Sequence, residues 1–306
     1  MKRRLLACVL LFALGGCLLC ACKKEDTATH PDHTHEGPWL LDMTQPTPVL
    51  TDTANPFDTP DQRLPLSEIP ETRSVTVFGS TYTGQRLERK ITDGSSYVTD
   101  VYETEDMTAT FGVRSDTGEV VSLTLSPDVR ETFLLPDLPD AEGRAVSLAY
   151  TLALELIDPS AYQMDISSRE DSCKLEGVTY TLRNYDIVFR KELGGLRTVE
   201  RLHFTVNSKG MLCAFYAIER GSFDALSGEL FSAAVSERAV QLMVAQLGSP
   251  KGRTYLSHEI KRPAVLRLTT DGRYILSLFV SITWQDDQTN HKYDGVSEVY
   301  LLLGTK

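Results

Sequence analysis

The chain has 306 residues, 42% hydrophobic and 24% charged, a composition ordinary for a globular protein. Its 31 Lys and Arg against 42 Asp and Glu give a formal charge of -11, and Lys2, Arg3 and Arg4 lie in a segment expected to be removed, which leaves the mature chain more acidic still. A nucleic-acid partner is not expected on that balance, because phosphate binding draws on counterions released by Lys and Arg.

Residues 1–21 read as an export signal. A basic start, Met1 to Arg4, precedes the apolar run Leu5 to Ala21, which ends in small residues and cysteines. At 17 residues the run stands at the lower limit for crossing a hydrocarbon core, so a cleaved signal fits better than a membrane-spanning helix. Its end resembles a bacterial lipoprotein signal, in which an aliphatic residue, a small residue and Gly or Ala precede the cysteine that is acylated. Leu14-Gly-Gly-Cys17 and Leu19-Cys-Ala-Cys22 both match. Cys22 is the better candidate for lipidation, because polar Lys23-Lys-Glu-Asp26 follows at once, whereas cleavage at Cys17 would leave Leu18 and Leu19 on the mature end. The resemblance implies a protein held on the extracytoplasmic side of the cell membrane by two or three acyl chains, more than the single chain that binds only reversibly.

Residues 22–72 read as a disordered tether. Eight of the 14 prolines fall here, among Thr and Asp and without any sustained apolar period. Such a stretch buries too little surface to offset its ordering entropy. A flexible chain of this length holds the folded part on the order of 40 Å from the bilayer. Within it, His30-Pro-Asp-His-Thr-His-Glu36 places His30, His33 and His35 as candidate zinc ligands, since imidazole suits Zn²⁺ and neighbouring residues of a loop can reach one ion. The competing reading is a polar linker that happens to be rich in His, because no outer shell of supporting groups is evident.

From residue 73 strands dominate. Met107, Ala109, Phe111 and Val113 alternate with Thr108, Thr110 and Gly112, the period of a half-buried strand. Ser115-Asp-Thr-Gly118 then marks a turn into a returning strand, Val120 to Leu125, and so predicts a hairpin. Helical spacing follows at Ala145, Leu148, Ala149, Leu152 and Leu156, with Asp140 as a candidate cap and Asp158-Pro159 as the stop. A second hairpin runs from Thr198 to Val206, turns at Asn207-Ser-Lys-Gly210, and returns over Met211 to Ile218. A second helix is predicted from Val235, Ala239, Leu242, Met243 and Gln246, ended by Gly248 and Pro250. Trp284 shares a strand face with Leu276, Leu278, Val280 and Ile282, which favours core packing over a ligand platform.

These landmarks recur. Phe111-x-Val-x-Ser and Phe204-x-Val-x-Ser are 93 residues apart, their turn glycines Gly118 and Gly210 are 92 apart, and the helix-stopping Pro159 and Pro250 are 91 apart. Tyr180 and Tyr274 each open a further long strand. The expected fold is therefore α+β, with antiparallel β-sheets each packed with one amphipathic helix in duplicated modules: 73–160 as the first, and 161–306 as the second with a C-terminal hairpin. Strand, Gly turn, strand and helix, as carried by Thr198 to Ile218 and echoed at Met107 to Leu125, resembles the PepSY-type and related cystatin-like modules of bacterial envelope proteins. The resemblance implies a curved antiparallel sheet on a helix, used for binding or inhibition rather than chemistry.

Two cysteines remain in the folded region, Cys173 and Cys213. In an oxidising compartment they are candidates for a disulfide closing a loop of about 40 residues, worth roughly 3 to 4 kcal/mol in the chain-entropy model. The alternative is a pair of thiols, Cys213 sitting as a small hydrophobe in the apolar run Met211 to Ile218. Catalytic motifs are missing: there is no His-Glu-x-x-His, no Gly-x-Ser-x-Gly, no phosphate-binding glycine loop and no Ser-x-x-Lys pair. His203, His258 and His291 are scattered, and the acidic turn from Asp286 to Gly295 lacks the spacing of an EF-hand. The reading is a non-enzymatic binding protein without a cofactor, anchored to the membrane and engaging a protein or peptide partner. Weak zinc capture by the His segment is the first alternative, and an envelope enzyme with an unrecognised site the second.

Overall fold

The computed structural model describes residues 49–50, 65–91, 95–126, 129–175, 177–224, 226, 252–269 and 271–305. Their strands are β1 (Val49–Leu50), β2 (Thr72–Val77), β3 (Ser80–Ile91), β4 (Val98–Thr104), β5 (Ala109–Arg114), β6 (Val120–Leu125), β7 (Tyr162–Leu175), β8 (Val178–Leu193), β9 (Leu196–Asn207), β10 (Leu212–Ile218), β11 (Arg253–Leu268), β12 (Arg273–Asp286) and β13 (Lys292–Thr305). Two α-helices stand among the described residues, α1 (Val129–Leu134) and α2 (Ala141–Ala153), both between β6 and β7. No described helix is long and apolar enough to cross a membrane.

The predicted α+β arrangement, a separate sheet for each helix, is overturned. All 13 strands belong to one hydrogen-bonded sheet, and the protein is mostly β. Strands β2 to β6 form one antiparallel meander and β7 to β10 a second; the last strands of the two pair with each other, Phe215 opposite Leu123, fusing both meanders edge to edge. Beyond them β9 gives its edge to β10 over Arg201–Val206 and to β11, in parallel, at Arg197 and Thr198. From there β11, β12 and β13 continue the sheet. The hairpins themselves lie where alternation put them, since alternation and turn glycines are local signals. The fusion depends on pairing between segments some 90 residues apart, which no local period specifies.

The fusion creates one apolar row across six strands: Ile187, Phe204, Phe215, Leu123, Phe111 and Tyr102 lie directly opposite one another from β8 to β4 and are all fully buried. Directly paired residues share a sheet face, so this row is the inner face on which α2 sits through Ala145, Ala149, Leu152 and Ala153. Aromatic contacts knit it together: Phe204 to Phe215 at 5.2 Å and Phe189 to Phe204 edge-on at 6.0 Å. Phe78 joins from the β2–β3 turn, 5.1 Å from Phe215. Its φ of 53°, next to Gly79 at 73°, fits the two-residue turn that matches strand twist, and burying the ring offsets the strain of that conformation in a bulky residue.

Helix α2 occurs where the spacing predicted it but ends at Ala153, before Leu156. Asp140 makes no side-chain cap and adopts φ 52°. Asp158 instead caps the following turn, accepting from the Ser160 amide at 3.0 Å. The second predicted helix, Val235 to Gln246, lies outside the described residues. A second core joins Leu193, Leu196 and Val199 to Leu266, Leu276, Leu278, Val280 and Ile282, with Phe223 inserted from the loop after β10. Trp284 packs against it, as its alternation requires, and glycine is obligatory at 295, which pairs with Ile282 and so lies diagonally across from Trp284, because a Cβ there would stand 2.5 Å from the indole ring. Within the 22–72 stretch, β1 pairs with Tyr300 and Leu301, and Arg86 holds the chain just before β2 by donating to the carbonyls of Leu66 at 2.9 Å and Ile69 at 3.0 Å.

Candidate functional site

The face opposite α2 is polar, and its rows run strand to strand. One row is Val188, His203, Tyr216 and Ser122; the next is Asp186, Thr205, Ala214, Thr124 and Thr110. Asp186 is its electrostatic centre. The carboxylate accepts from Thr205 Oγ1 at 2.7 Å, pairs with His203 Nε2 at 2.9 Å, and receives Arg169 Nη1 at 2.9 Å from β7. Burial alone opposes its ionisation, but the hydrogen bonds from Thr205 and His203 and the Arg169 charge outweigh it and hold the carboxyl below the usual range. Thr205 donates to the carboxylate and not to the imidazole, so the cluster orients His203 without activating a hydroxyl nucleophile. Tyr216, partly exposed, shares a hydrogen bond with Thr124 at 3.2 Å. The arrangement is a hydrogen-bonding surface with internally compensated charge.

Two buried glutamates tie this sheet to the loop after β10. Glu200, 1% exposed on β9, accepts from the Tyr162 hydroxyl and the Gly221 amide (2.9 Å) on one oxygen, and on the other from the Phe223 amide (3.3 Å) with Lys191 Nζ at 3.7 Å. Lys191 also pairs with Asp224. Burial pushes the Glu200 carboxyl up, with Tyr162, Gly221 and Lys191 opposing it, and burial with the Glu200 charge raises the Tyr162 phenol. Glu219, fully buried at φ 53°, accepts from the Ser96 amide and from Ser222 Oγ at 2.6 Å. The left-handed conformation of a buried Glu is held by these partners, which is how strain survives in a folded protein. Burial likewise pushes the neighbouring Tyr97 phenol up; it donates to the Ala217 carbonyl at 2.9 Å beneath the Arg114 guanidinium. Sequence reading missed both glutamates. The trace for Glu200 was a charged pair between apolar neighbours, Val199-Glu200-Arg201-Leu202, and that is also what a solvent-facing position looks like.

The residues singled out in the sequence are not gathered in one place. Cys22, His30, His33 and His35 lie outside the described residues. Cys173 on β7 and Cys213 on β10 are free thiols. Burial raises the Cys213 thiol, which sits 3.6 Å from the Met211 carbonyl and 3.9 Å from Asn184 Oδ1. His258 pairs with the Tyr255 hydroxyl at 2.6 Å on an exposed part of β11. In the acidic turn Asp286 spends its carboxylate on the Gln288 and Thr289 amides, at 3.0 and 2.7 Å. Among the described residues no group of three or more His, Cys, Asp or Glu side chains is placed to hold a metal. No protein-family model, curated protein or solved structure matches the chain.

Proposed function

We propose that this chain is a lipid-anchored extracytoplasmic protein that binds a protein or peptide partner and carries out no chemistry. The observation that carries the reading is the use made of the polar face: its central carboxylate, Asp186, is committed to Thr205, His203 and Arg169, which leaves a hydrogen-bonding surface rather than a nucleophile with its base. The long antiparallel sheet adds backbone edges, the second means by which sheet proteins take partners. Membrane attachment rests on Cys22 and the signal that precedes it.

The test uses the full lipidated chain, recovered from its own solubilised envelope at low and moderate salt, with mass spectrometry of what stays bound. A partner in near-equal amount at both salts is expected; background alone at both would defeat the binding role. Cys22→Ser is expected to move the protein to the soluble fraction or leave an uncleaved precursor. Unchanged membrane extraction and lipid labelling would remove the anchor from the reading.

A further inference from the structure

Among the described residues the sheet has three ends, and they are not equally protected. An edge strand presents unpaired backbone groups to any passing strand, and proteins that must not pair guard such edges with charges, prolines or bulges. Strand β7 pairs, among the described residues, with β8 alone and is guarded: Asp165, Arg169, Glu170, Asp171 and Lys174 are spread along it. Its ion pairs reach across to β8, Asp165 to Arg190 at 2.9 Å, Arg169 to Asp186 at 2.9 Å and Glu170 to Arg183 at 3.3 Å. At the opposite end β13 already carries β1 over Tyr300 and Leu301, and exposes Lys292 and Asp294 along the remainder.

Strand β2 has fewer of these devices: a single charge, Arg73, with no proline and no bulge. Among the described residues it pairs on one side only, with β3, over the whole of Thr72–Val77. Four of its six residues are β-branched, Thr72, Val75, Thr76 and Val77, and it holds neither Pro nor Gly. Its exposed side is a ladder of hydroxyls, Ser74 to Thr83 at 2.7 Å and Thr76 to Thr81 at 2.9 Å. Its inner side shows Val75 and Val77 at the margin of the apolar core. The single charge, Arg73, lies on that inner side, half-buried, and makes no ion pair among the described residues. Its guanidinium reaches the β5–β6 turn, 2.8 Å from where a Cβ on Gly118 would stand.

We infer that the open edge of β2 is the docking site of the binding role proposed above, and that it takes an extended peptide strand with an acidic residue opposite Arg73. The inference rests on that role and names its site. Directly opposed residues share a sheet face, so the chemistry of the added strand follows position by position. Apolar side chains stand opposite Val75 and Val77, where they extend the core. Hydroxyl or other small polar side chains stand opposite Ser74 and Thr76, and a carboxylate stands opposite Arg73. The outer face around Asp186 makes no comparable demand, because its charges are already matched within the chain.

The test uses the full chain and two end-blocked fluorescent peptides, Val-Thr-Val-Thr-Glu-Thr and the same peptide with Lys in place of Glu, read by fluorescence anisotropy. The Glu peptide is expected to bind at least tenfold tighter than the Lys peptide. Arg73→Glu is expected to reverse that order, and Thr76→Lys, which places on β2 the kind of charge that guards β7, to weaken the Glu peptide at least tenfold. Unchanged urea midpoints establish that both variants fold. No binding of the Glu peptide, or binding indifferent to Arg73→Glu, overturns the site. So does a dimer in light scattering that Thr76→Lys dissociates, since the edge would then be occupied by a second copy. An envelope partner recovered equally by the native chain and by Arg73→Glu overturns the site while leaving the binding role in place.

Discussion

Replacing Glu200 with Gln tests whether the buried carboxylate holds the loop after β10, because the change is nearly isosteric and exchanges one acceptor oxygen for a donor. The Gln carbonyl can keep the Tyr162 hydroxyl and the Gly221 amide, which share one oxygen in the native protein. Its NH₂ then faces the Phe223 amide and Lys191, a donor against donors. One buried amide left unpaired costs about 1–3 kcal/mol. Of its two carboxylate partners Lys191 keeps Asp224, which is largely exposed and contributes little. Together the loss is expected at about 2–4 kcal/mol, below the about 3–5 kcal/mol typical of removing one partner of a buried pair outright, as Glu200→Ala would do. Urea unfolding gives the global figure, and hydrogen exchange at the Gly221 and Phe223 amides reads the loop directly. Both amides are expected to exchange faster in Glu200→Gln under native conditions. A change below about 0.5 kcal/mol, the range of ordinary surface substitutions, with both amides still protected would refute the latch.

Acid should destabilise the protein through Asp186: its folded carboxyl is depressed, so its contribution is present above the unfolded value and lost as pH falls through the folded one. Glu200 acts with the opposite sign, its raised carboxyl favouring the fold below the unfolded value and losing that contribution as pH rises through the folded one. Urea midpoints across acidic and neutral pH are therefore expected to show a shallower acid limb in Asp186→Asn, and an identical limb would contradict the assignment. Phe215→Ala removes the central ring of the apolar row and is expected to cost about 3–5 kcal/mol by chemical denaturation, whereas a loss under about 1 kcal/mol would mean the row does not carry the core. For the His segment, calorimetric zinc titration of the native chain against the triple change His30→Ala, His33→Ala and His35→Ala decides the metal alternative. Equal weak heats would remove it.

What the sequence disclosed was local. Ala109, Phe111 and Val113 fall on the buried face of β5 because a period of two admits only one such assignment, and the turns at Gly118 and Gly210 lie at positive φ as hairpin chemistry demands. Met107, read as the start of that strand, instead sits in the preceding turn at φ 56° with its side chain exposed, since alternation does not mark where a strand begins. The expectation of one sheet per helix failed at a longer range. Phe215 and Leu123 each look like residues that need cover from a helix, yet each lies beside the other in a shared row, and among the described residues α2 packs on that row's core.

The buried polar groups were illegible for a related reason. Glu200 takes Tyr162 and the Gly221 and Phe223 amides, 38, 21 and 23 residues away, and Glu219 takes the Ser96 amide, 123 residues away, so the sequence around either glutamate does not announce a buried carboxylate. The sheet itself explains why they are needed. Strand β9 gives only Arg197 and Thr198 to β11, a pairing too short to hold the two parts of the sheet in register. Phe223 crosses that junction into the second core, its ring tilted 55° to that of Tyr274 with centroids 5.7 Å apart, and the Tyr274 hydroxyl donates to the Ser222 carbonyl at 3.1 Å. An apolar plug resists withdrawal but does not specify the path of its loop, whereas the Glu200 carboxylate, which accepts from the Gly221 and Phe223 amides, fixes the backbone on both sides of residue 222. The junction is thus specified by polar contacts and stabilised by apolar ones. Loss of Phe223 should therefore cost stability, while loss of Glu200 should in addition free the loop to exchange.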